Sequence, residues 1–428
     1  MHLPAHRRRT TGWLAVVTAL GVTAAVAGCA GPATAQEVTL RLVAAEYGDS
    51  AANSSKKYWD ALVKKYEADH PGVRVQVSVY SWNDVDRKVK EMVAAGKAPD
   101  LAQIGAYADY AARNQLYETG RLLSIPVQAD FQPQLSEAGK VRRIAYGMPF
   151  AASTRVLFYN KKLFADAGIT DTPETWNDLA EDAAALKANG VKTPFALPLG
   201  PEEAQAETMQ WLLSGGAGYT ADAGSYKFDS DTNIETFTWL KDELVDKGLT
   251  GPTEPAKLNR ADAFTAFTRG EVGMLNGHPT LMKAATEQGV EFGMVPLPGR
   301  DGPAHANLAV ADWMMAFKQN GNRQEIGEFL DFVYSEKNVL DFSRQYDLLP
   351  VTMSASETMS ASESDADLTP FLDELPQAEL PPVGKKSWAE VSAAVKERIG
   401  KAVSENGDPK AVLAGLQQLA VAAETADR

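Results

Sequence analysis

Val38-Thr39-Leu40-Arg41-Leu42-Val43 opens a stretch in which two periodicities alternate, and that alternation decides the fold class. Apolar and polar residues alternate from Val38 to Leu42 of this hexapeptide, the period of a strand with one buried face. From Asn53 to Asp69 the spacing changes: Tyr58, Leu62 and Tyr66, beside Trp59 and Val63, fall on one face of a helix. His70-Pro71-Gly72 ends it. Period two then returns, Val73, Val75, Val77 and Val79 alternating with Arg74, Gln76 and Ser78. Ser81-Trp82-Asn83-Asp84 reads as a turn and N-cap before a helix carrying Val85, Val89, Met92 and Val93. Gly96 to Pro99 stops that helix, and Asp100 to Ile104 makes a third short strand. Strands interleaved with helices predict an α/β fold with a mostly parallel sheet covered on both faces.

Further along, Met148 to Tyr159 is a long extended run, Lys161 to Ala167 a short helix closed by Gly168, and Thr175 the start of another helix. Helices are expected at 202–214, 232–247, 260–269, 278–288, 323–335, 336–345, 387–405 and 409–424, and strands near 194–198, 271–275, 291–295 and 307–317. Met353 to Glu357 recurs as Met359 to Glu363; two copies of so short a unit read as a polar surface segment, not an architectural repeat. Gly215-Gly216-Ala217-Gly218 does not open a βαβ unit and reads as a turn.

The chain has 428 residues, 45% of them hydrophobic and 23% charged, an ordinary globular composition. A net charge of −14 argues against a broad phosphate-binding surface, so nucleic acid is not expected as a partner. One cysteine and five histidines leave no disulfide framework and no metal-ligand spacing. No cofactor motif is present: neither a phosphate loop nor a nucleophile elbow appears. Glu202, Glu203 and Glu207 resemble the makings of a glycosidase pair, but among 56 acidic residues they read as a solvated helix face.

The first 28 residues read as a leader. Arg7, Arg8 and Arg9 precede an apolar stretch, Trp13 to Ala27, too short to span a bilayer and suited to a signal peptide. It ends in Val26-Ala27-Gly28-Cys29, which resembles the bacterial lipobox, where the cysteine is thioether-linked to diacylglycerol and becomes the new N-terminus. Acyl chains of that kind would tie the protein to the outer face of the cell membrane. Residues 29–36 read as a short tether.

In open α/β sheets, ligands bind outside the carboxyl ends of strands. Those positions here carry Glu46-Tyr47, Trp82-Asn83 and Gly105-Ala106-Tyr107, so each of the first three strands delivers an aromatic residue to one edge. Aromatic faces suit the C–H faces of sugar rings, and neighbouring polar groups suit their hydroxyls.

The most specific block runs from Tyr146-Gly147-Met148-Pro149 through Tyr159-Asn160-Lys161, Phe164 and Gly168 to Pro173-Glu174-Thr175-Trp176 and Leu179. Ala98 to Leu101, Phe267 to Leu275, Gly293 to Pro298, Glu328 to Phe332 and Asp408-Pro409 support it. Together they resemble the solute-binding proteins of ABC importers, in the large carbohydrate-binding family that includes maltose-binding protein. The resemblance implies a two-lobe, type II periplasmic-binding-protein-like fold with a hinge crossed several times. It places lobe one at 37–148 plus 277–335 and lobe two at 149–276 plus 336–428. It further implies a monomer that captures a carbohydrate between its lobes and delivers it to a membrane permease, with no enzymatic step. A polyol, glycerol phosphate or other small solute remains an alternative ligand, and a surface-anchored carbohydrate-active enzyme or a sensory lipoprotein an alternative role.

By motif position, the resemblance assigns ligand contacts to Glu46, Tyr47, Trp82, Asn83 and Tyr107 at the strand ends. It adds Ser153, Thr154 and Arg155 in the crossing run, Trp211, His278, Asp312, Trp313 and Trp388. Ser153 stands where some relatives carry an acidic sugar contact, and Asp312-Trp313 where many are glycine-rich. Trp176 and Trp239 are expected in the core, His70 and His305 at the surface.

Overall fold

The alternating opening becomes β1 (Val38–Ala45) and β2 (Val73–Tyr80), paired in parallel along their whole length. The computed structural model describes residues 37–426 except Asp49, Asn83 and Asp222; the leader, Cys29 and the tether lie outside the described residues. The helix between these strands, Ser55–Asp69, starts where the Ser54 hydroxyl accepts the Lys57 N–H, and it buries Trp59, Leu62, Val63 and Tyr66 as its spacing predicts. β3 (Leu101–Ile104) joins β1 in parallel. A small hairpin, β4 (Lys140–Val141) and β5 (Ile144–Ala145), precedes β6 (Met148–Ser153).

The long extended run does not stay in one sheet. After β6 the chain passes Thr154 and Arg155 and enters β7 (Val156–Asn160) of a second sheet. That sheet also contains β8 (Thr193–Ala196), β9 (Val272–Gly277) and β10 (Phe292–Val295), in the order β10-β7-β9-β8. The chain then returns to the first sheet as β11 (Val310–Ala316), giving the order β2-β1-β3-β11-β6. Two lobes result, one around each sheet.

Both sheets are mixed where a mostly parallel one was expected. β11 runs antiparallel to β3 and β6, and β7 antiparallel to β9 and β10. A strand arriving from the other lobe enters at the edge facing that lobe, so it runs against strands that point toward it. The lobe limits also move. Residues 292–295 pair with β7 and so belong with the second sheet, not the first. The segment after 335 stays with the first lobe, because Phe342 packs against Tyr47, Tyr58 and Phe150. The chain leaves that lobe for the last time near 379–388, after which Val391, Val395 and Ile399 join the core of the second.

Local chemistry accounts for the other elements. Thr175 and Asp178 form a reciprocal capping box at the start of helix Trp176–Ala188. The repeat at 353–363 is no polar surface strip: helix Met353–Ser360 buries Ala355 and Met359, which its four-residue spacing puts on one face. Trp176 is buried and Trp239 half-buried, their rings tilted against each other at 4.8 Å in the second lobe's core.

Candidate functional site

The three crossings between lobes lie side by side. Asn307, on the second, donates from Nδ2 to the Arg155 carbonyl (2.5 Å) and to Glu374 Oε2 (2.9 Å), while its Oδ1 accepts the Arg155 N–H (3.3 Å). The third crossing bonds to the same residues: Glu379 N–H donates to the Asn307 carbonyl at 2.8 Å, and Ala309 N–H to the Glu379 carbonyl at 2.9 Å. Asn307 is 3% exposed, so these bonds are shielded from water. One buried residue thus ties all three connections together, through its side-chain amide and its backbone carbonyl. Nothing in the residue's sequence surroundings marks it for that task.

On the first lobe, the edge facing its partner is built by a relay. Gln103 Oε1 accepts the Ala45 N–H (2.9 Å) and its Nε2 donates to the Tyr47 hydroxyl (2.7 Å). That hydroxyl in turn donates to Asp312 Oδ2 at 2.7 Å. β1, β3 and β11 therefore jointly fix the direction of one carboxylate. Burial pushes the Asp312 carboxyl up to about 7; the Tyr47 bond opposes this, and the charges of Asp86 and Glu203 add to it. Asp86 is pushed up to about 6 by burial, against the backbone N–H groups of Gly105 and Ala106 and the charge of Lys396. Trp82, 37% exposed, sets its ring edge-on to Tyr47 at 5.4 Å. A hollow of about 320 Å³ beside it is lined by Glu46, Lys56, Val79, Tyr80 and Ser81.

The second lobe faces this edge with charges already matched. Arg155 donates to Glu203 Oε1 at 2.8 Å, and Arg260 reaches Glu203 at 2.5 Å and Glu202 at 2.6 Å. Behind them Glu207 Oε1 accepts from Trp211 Nε1 and Asn276 Nδ2, both at 2.8 Å. Burial pushes the Glu207 carboxyl up to about 7 despite those two bonds. His278, after β9, bonds Thr280 through Nδ1 (2.9 Å), and burial with the nearby Arg155 and Arg260 charges pushes its pKa down, holding it neutral. The three glutamates do not form a solvated face: Glu202 and Glu203 are the anionic half of an ion-pair network, and Glu207 is buried on the neutral donors Trp211 and Asn276. Carboxylates at and just before a helix start look the same in sequence whether water or protein donors face them.

The expected contacts divide accordingly. Tyr47, Trp82, Asp312, Arg155 and His278 come to the facing edges. Glu46 caps its own loop, accepting N–H groups from Gly48 (2.8 Å) and Ser55 (2.6 Å). Ser153 accepts from Arg155 (3.2 Å), and buried Thr154 donates to the Phe371 carbonyl (2.8 Å). Tyr107 and Trp313 are corrections: both are fully buried and pack on each other at 5.1 Å. Gly147 must lack a side chain to admit them, since a Cβ there would lie 2.7 Å from the Tyr107 ring. Successive strand residues point to opposite faces, so Asp312 reaching Tyr47 sends Trp313 into the core. Trp211, 3% exposed, belongs to the core with Trp176 and Phe195. Half-buried Trp388 packs at 5.3 Å on Tyr219 in the second lobe. Asn83 lies outside the described residues. Asp86, Gln103, Arg260, Asn276 and Asn307 join the site without having been expected there.

The fold recurs among solved structures. The cyclic alpha-maltosyl-1,6-maltose binding protein from Arthrobacter globiformis superposes with a TM-score of 0.77 at 20% identity, covering 91% of this chain and all of that one. The maltose-bound T. maritima MalE3 gives 0.74 at 17% identity, over 90% of this chain and 99% of that one. In sequence, a binding protein of Brucella abortus (strain 2308) is 26% identical over 380 residues, 87% of this chain and 90% of its own length. The sn-glycerol-3-phosphate-binding periplasmic protein UgpB of Escherichia coli (strain K12) is 25% identical over 320 residues, 69% of this chain and 71% of its own. The family model for bacterial extracellular solute-binding proteins matches residues 52–339, two thirds of the sequence. Two lobes, a shared hinge and this match agree: the chain belongs to the bacterial extracellular solute-binding proteins.

Proposed function

We propose that the protein captures an uncharged sugar or short oligosaccharide between its lobes and passes it to the permease of an ABC importer. The observation that carries this reading is the charge state of the facing edges. Asp312 and Asp86 stand on the first lobe as hydrogen-bond acceptors, while Arg155 and Arg260 of the opposite edge already hold Glu203. Hydroxyl donors suit such an edge, and Trp82 with Tyr47 offers an aromatic surface for the C–H face of a ring. A phosphate would meet carboxylates on one edge and arginines already paired with Glu203 on the other, which disfavours the ligand in UgpB's name. In this reading Tyr47, Trp82 and Asp312 touch the solute, Arg155 and His278 shape the opposite wall, and Trp388 flanks it.

Closure about the tied hinge would bury the solute, and selective affinity for the closed form would shift the population toward it. The mature protein would act as a monomer held at the extracellular face of the membrane by lipid on Cys29. Calorimetric titration of the chain lacking residues 1–28 with mono-, di- and trisaccharides, and with glycerol 3-phosphate, tests the ligand class. Saturable heat with a saccharide and none with the phosphate is expected; the reverse result overturns the reading. Incorporation of labelled palmitate that disappears in Cys29→Ala is the expected sign of the anchor.

A further inference from the structure

In the hairpin of β4 and β5, Lys140 pairs with Ala145 and Val141 with Ile144, leaving Arg142 and Arg143 to turn the chain. Both have positive φ, 51° and 70°. Two-residue hairpin turns with positive φ at both positions favour Asn-Gly or Gly-Gly, because a Cβ crowds the backbone in that region. Two arginines are a poor choice for the turn itself. Both are exposed, and neither makes an ion pair or side-chain hydrogen bond among the described residues. Arg74, Arg87, Arg155, Arg260, Arg300 and Arg344 each hold a carboxylate; Arg269, Arg323 and Arg398 are exposed without one among the described residues, but each stands alone at a helix end, whereas Arg142 and Arg143 are adjacent at a hairpin tip. Ile144 beside them is 43% exposed.

The stem that presents these groups is firmly seated. Tyr146 and Gly147 N–H both donate to the Gly139 carbonyl, at 3.0 and 3.1 Å. Gly384, on the third crossing, lies so close that a Cβ there would stand 2.5 Å from the Lys140 carbonyl oxygen. The hairpin is therefore wedged between the first lobe's core and a segment leading to the second. On a chain of net charge −14, two adjacent uncommitted guanidinium groups at the tip of a seated hairpin concentrate positive charge at one point.

We propose that Arg142 and Arg143 form a docking prong for an acidic protein surface, carried by the membrane subunit that receives the solute. Adjacent guanidinium groups held at fixed spacing suit paired carboxylates, each able to accept two parallel hydrogen bonds. Strain kept at the turn has a use where geometry matters. An anionic bilayer would reward charge without needing that geometry, and it would repel the acidic remainder of the molecule. Seated beside the third crossing, the prong lies where a partner could sense both lobes. The kind of partner rests on the solute-binding reading; the residues do not.

The test places a photo-crosslinking p-benzoylphenylalanine at position 144 of the full chain in its native cells. Ultraviolet adducts to an integral permease subunit, mapped by mass spectrometry to a segment bearing Asp or Glu, are expected. Their yield should fall about tenfold in Arg142→Asn/Arg143→Gly, a variant whose melting temperature stays equal or rises because its turn is relaxed. Adducts to lipid alone, no adduct, or a yield unchanged in the double variant overturn the proposal. So does cosedimentation with phosphatidylglycerol vesicles that the double variant loses. Sugar binding without adducts defeats this proposal alone; adducts without sugar binding defeat only the assigned ligand class.

Discussion

The two edges that face each other across the cleft are built on opposite electrostatic plans. On the first lobe, Asp312 and Asp86 are partly buried carboxyls with no cation in direct contact among the described residues, and Asp312 is aimed by the Gln103–Tyr47 relay. On the second, Arg155, Arg260, Glu202 and Glu203 neutralise one another, with Glu207, Asn276 and Trp211 closing the network behind. One edge keeps bonding capacity in reserve for a visitor, and the other has spent its own on holding shape. Recognition and positioning are thus divided between lobes. A binding protein that must close repeatedly gains from this division, because the rigid side carries the hinge residue Arg155 through each cycle.

The sharpest way to break that contrast is Arg155→Ala. If the second edge is structural, losing the Arg155 bond while Arg260 still holds Glu203 removes about 1.5–3 kcal/mol of stability, read by chemical denaturation. A stable variant with lost affinity would instead make Arg155 a recognition residue. Glu207→Gln comes next. A carboxyl raised to about 7 in the folded state binds a proton there that the unfolded chain has already released. Its contribution is full below about pH 4.5 and fades as pH rises through 7, of the order of 3 kcal/mol in all. The wild-type chain should therefore lose stability relative to Glu207→Gln between pH 5 and 8, measured as paired denaturation curves; parallel curves would contradict it.

Asp312→Asn addresses the first edge. It keeps an acceptor for the Tyr47 hydroxyl but loses the charge, so affinity should fall about tenfold, near 1.4 kcal/mol, with the melting temperature kept. Loss of folding instead would place Asp312 with the structural side. The smallest effect is expected of Trp82→Ala, which removes a ring 37% exposed and set against Tyr47. A loss of about 0.5–1.5 kcal/mol in binding, seen by calorimetry, matches one aromatic contact.

Much of the fold was legible because it is written in local periods. Valines at every second position of β2 and apolar residues at helical spacing in Ser55–Asp69 carry their partners' direction with them. The site was legible only in part, for two physical reasons. Tyr47 and Asp312 were both expected, since strand ends mark the edge, yet the bond between them spans 265 residues and no local pattern announces it. Trp313 was expected beside Asp312, where a one-residue step reverses the face, so an aromatic residue that looked available is the fully buried partner of Tyr107. Asp86, Glu203 and Glu207 sit on or beside helices, where sequence cannot tell a carboxylate facing water from one facing the other lobe. Asn307 is the extreme case, an ordinary loop residue whose importance comes wholly from three chain segments meeting at it.

The place of β11 in the first sheet also sets a timetable. β11 lies between β3 and β6, with Trp313 opposite Ile104 and Met314 opposite Met148. A chain that emerges from the ribosome or an export channel amino end first must therefore leave two strand edges bare until residue 316 has passed. All four strands of the other sheet are out by residue 295. The lobe that begins the polypeptide is thus the later of the two to complete its sheet. Completion of that sheet waits on pairings between residues far apart in the chain, which makes it the slower half to set.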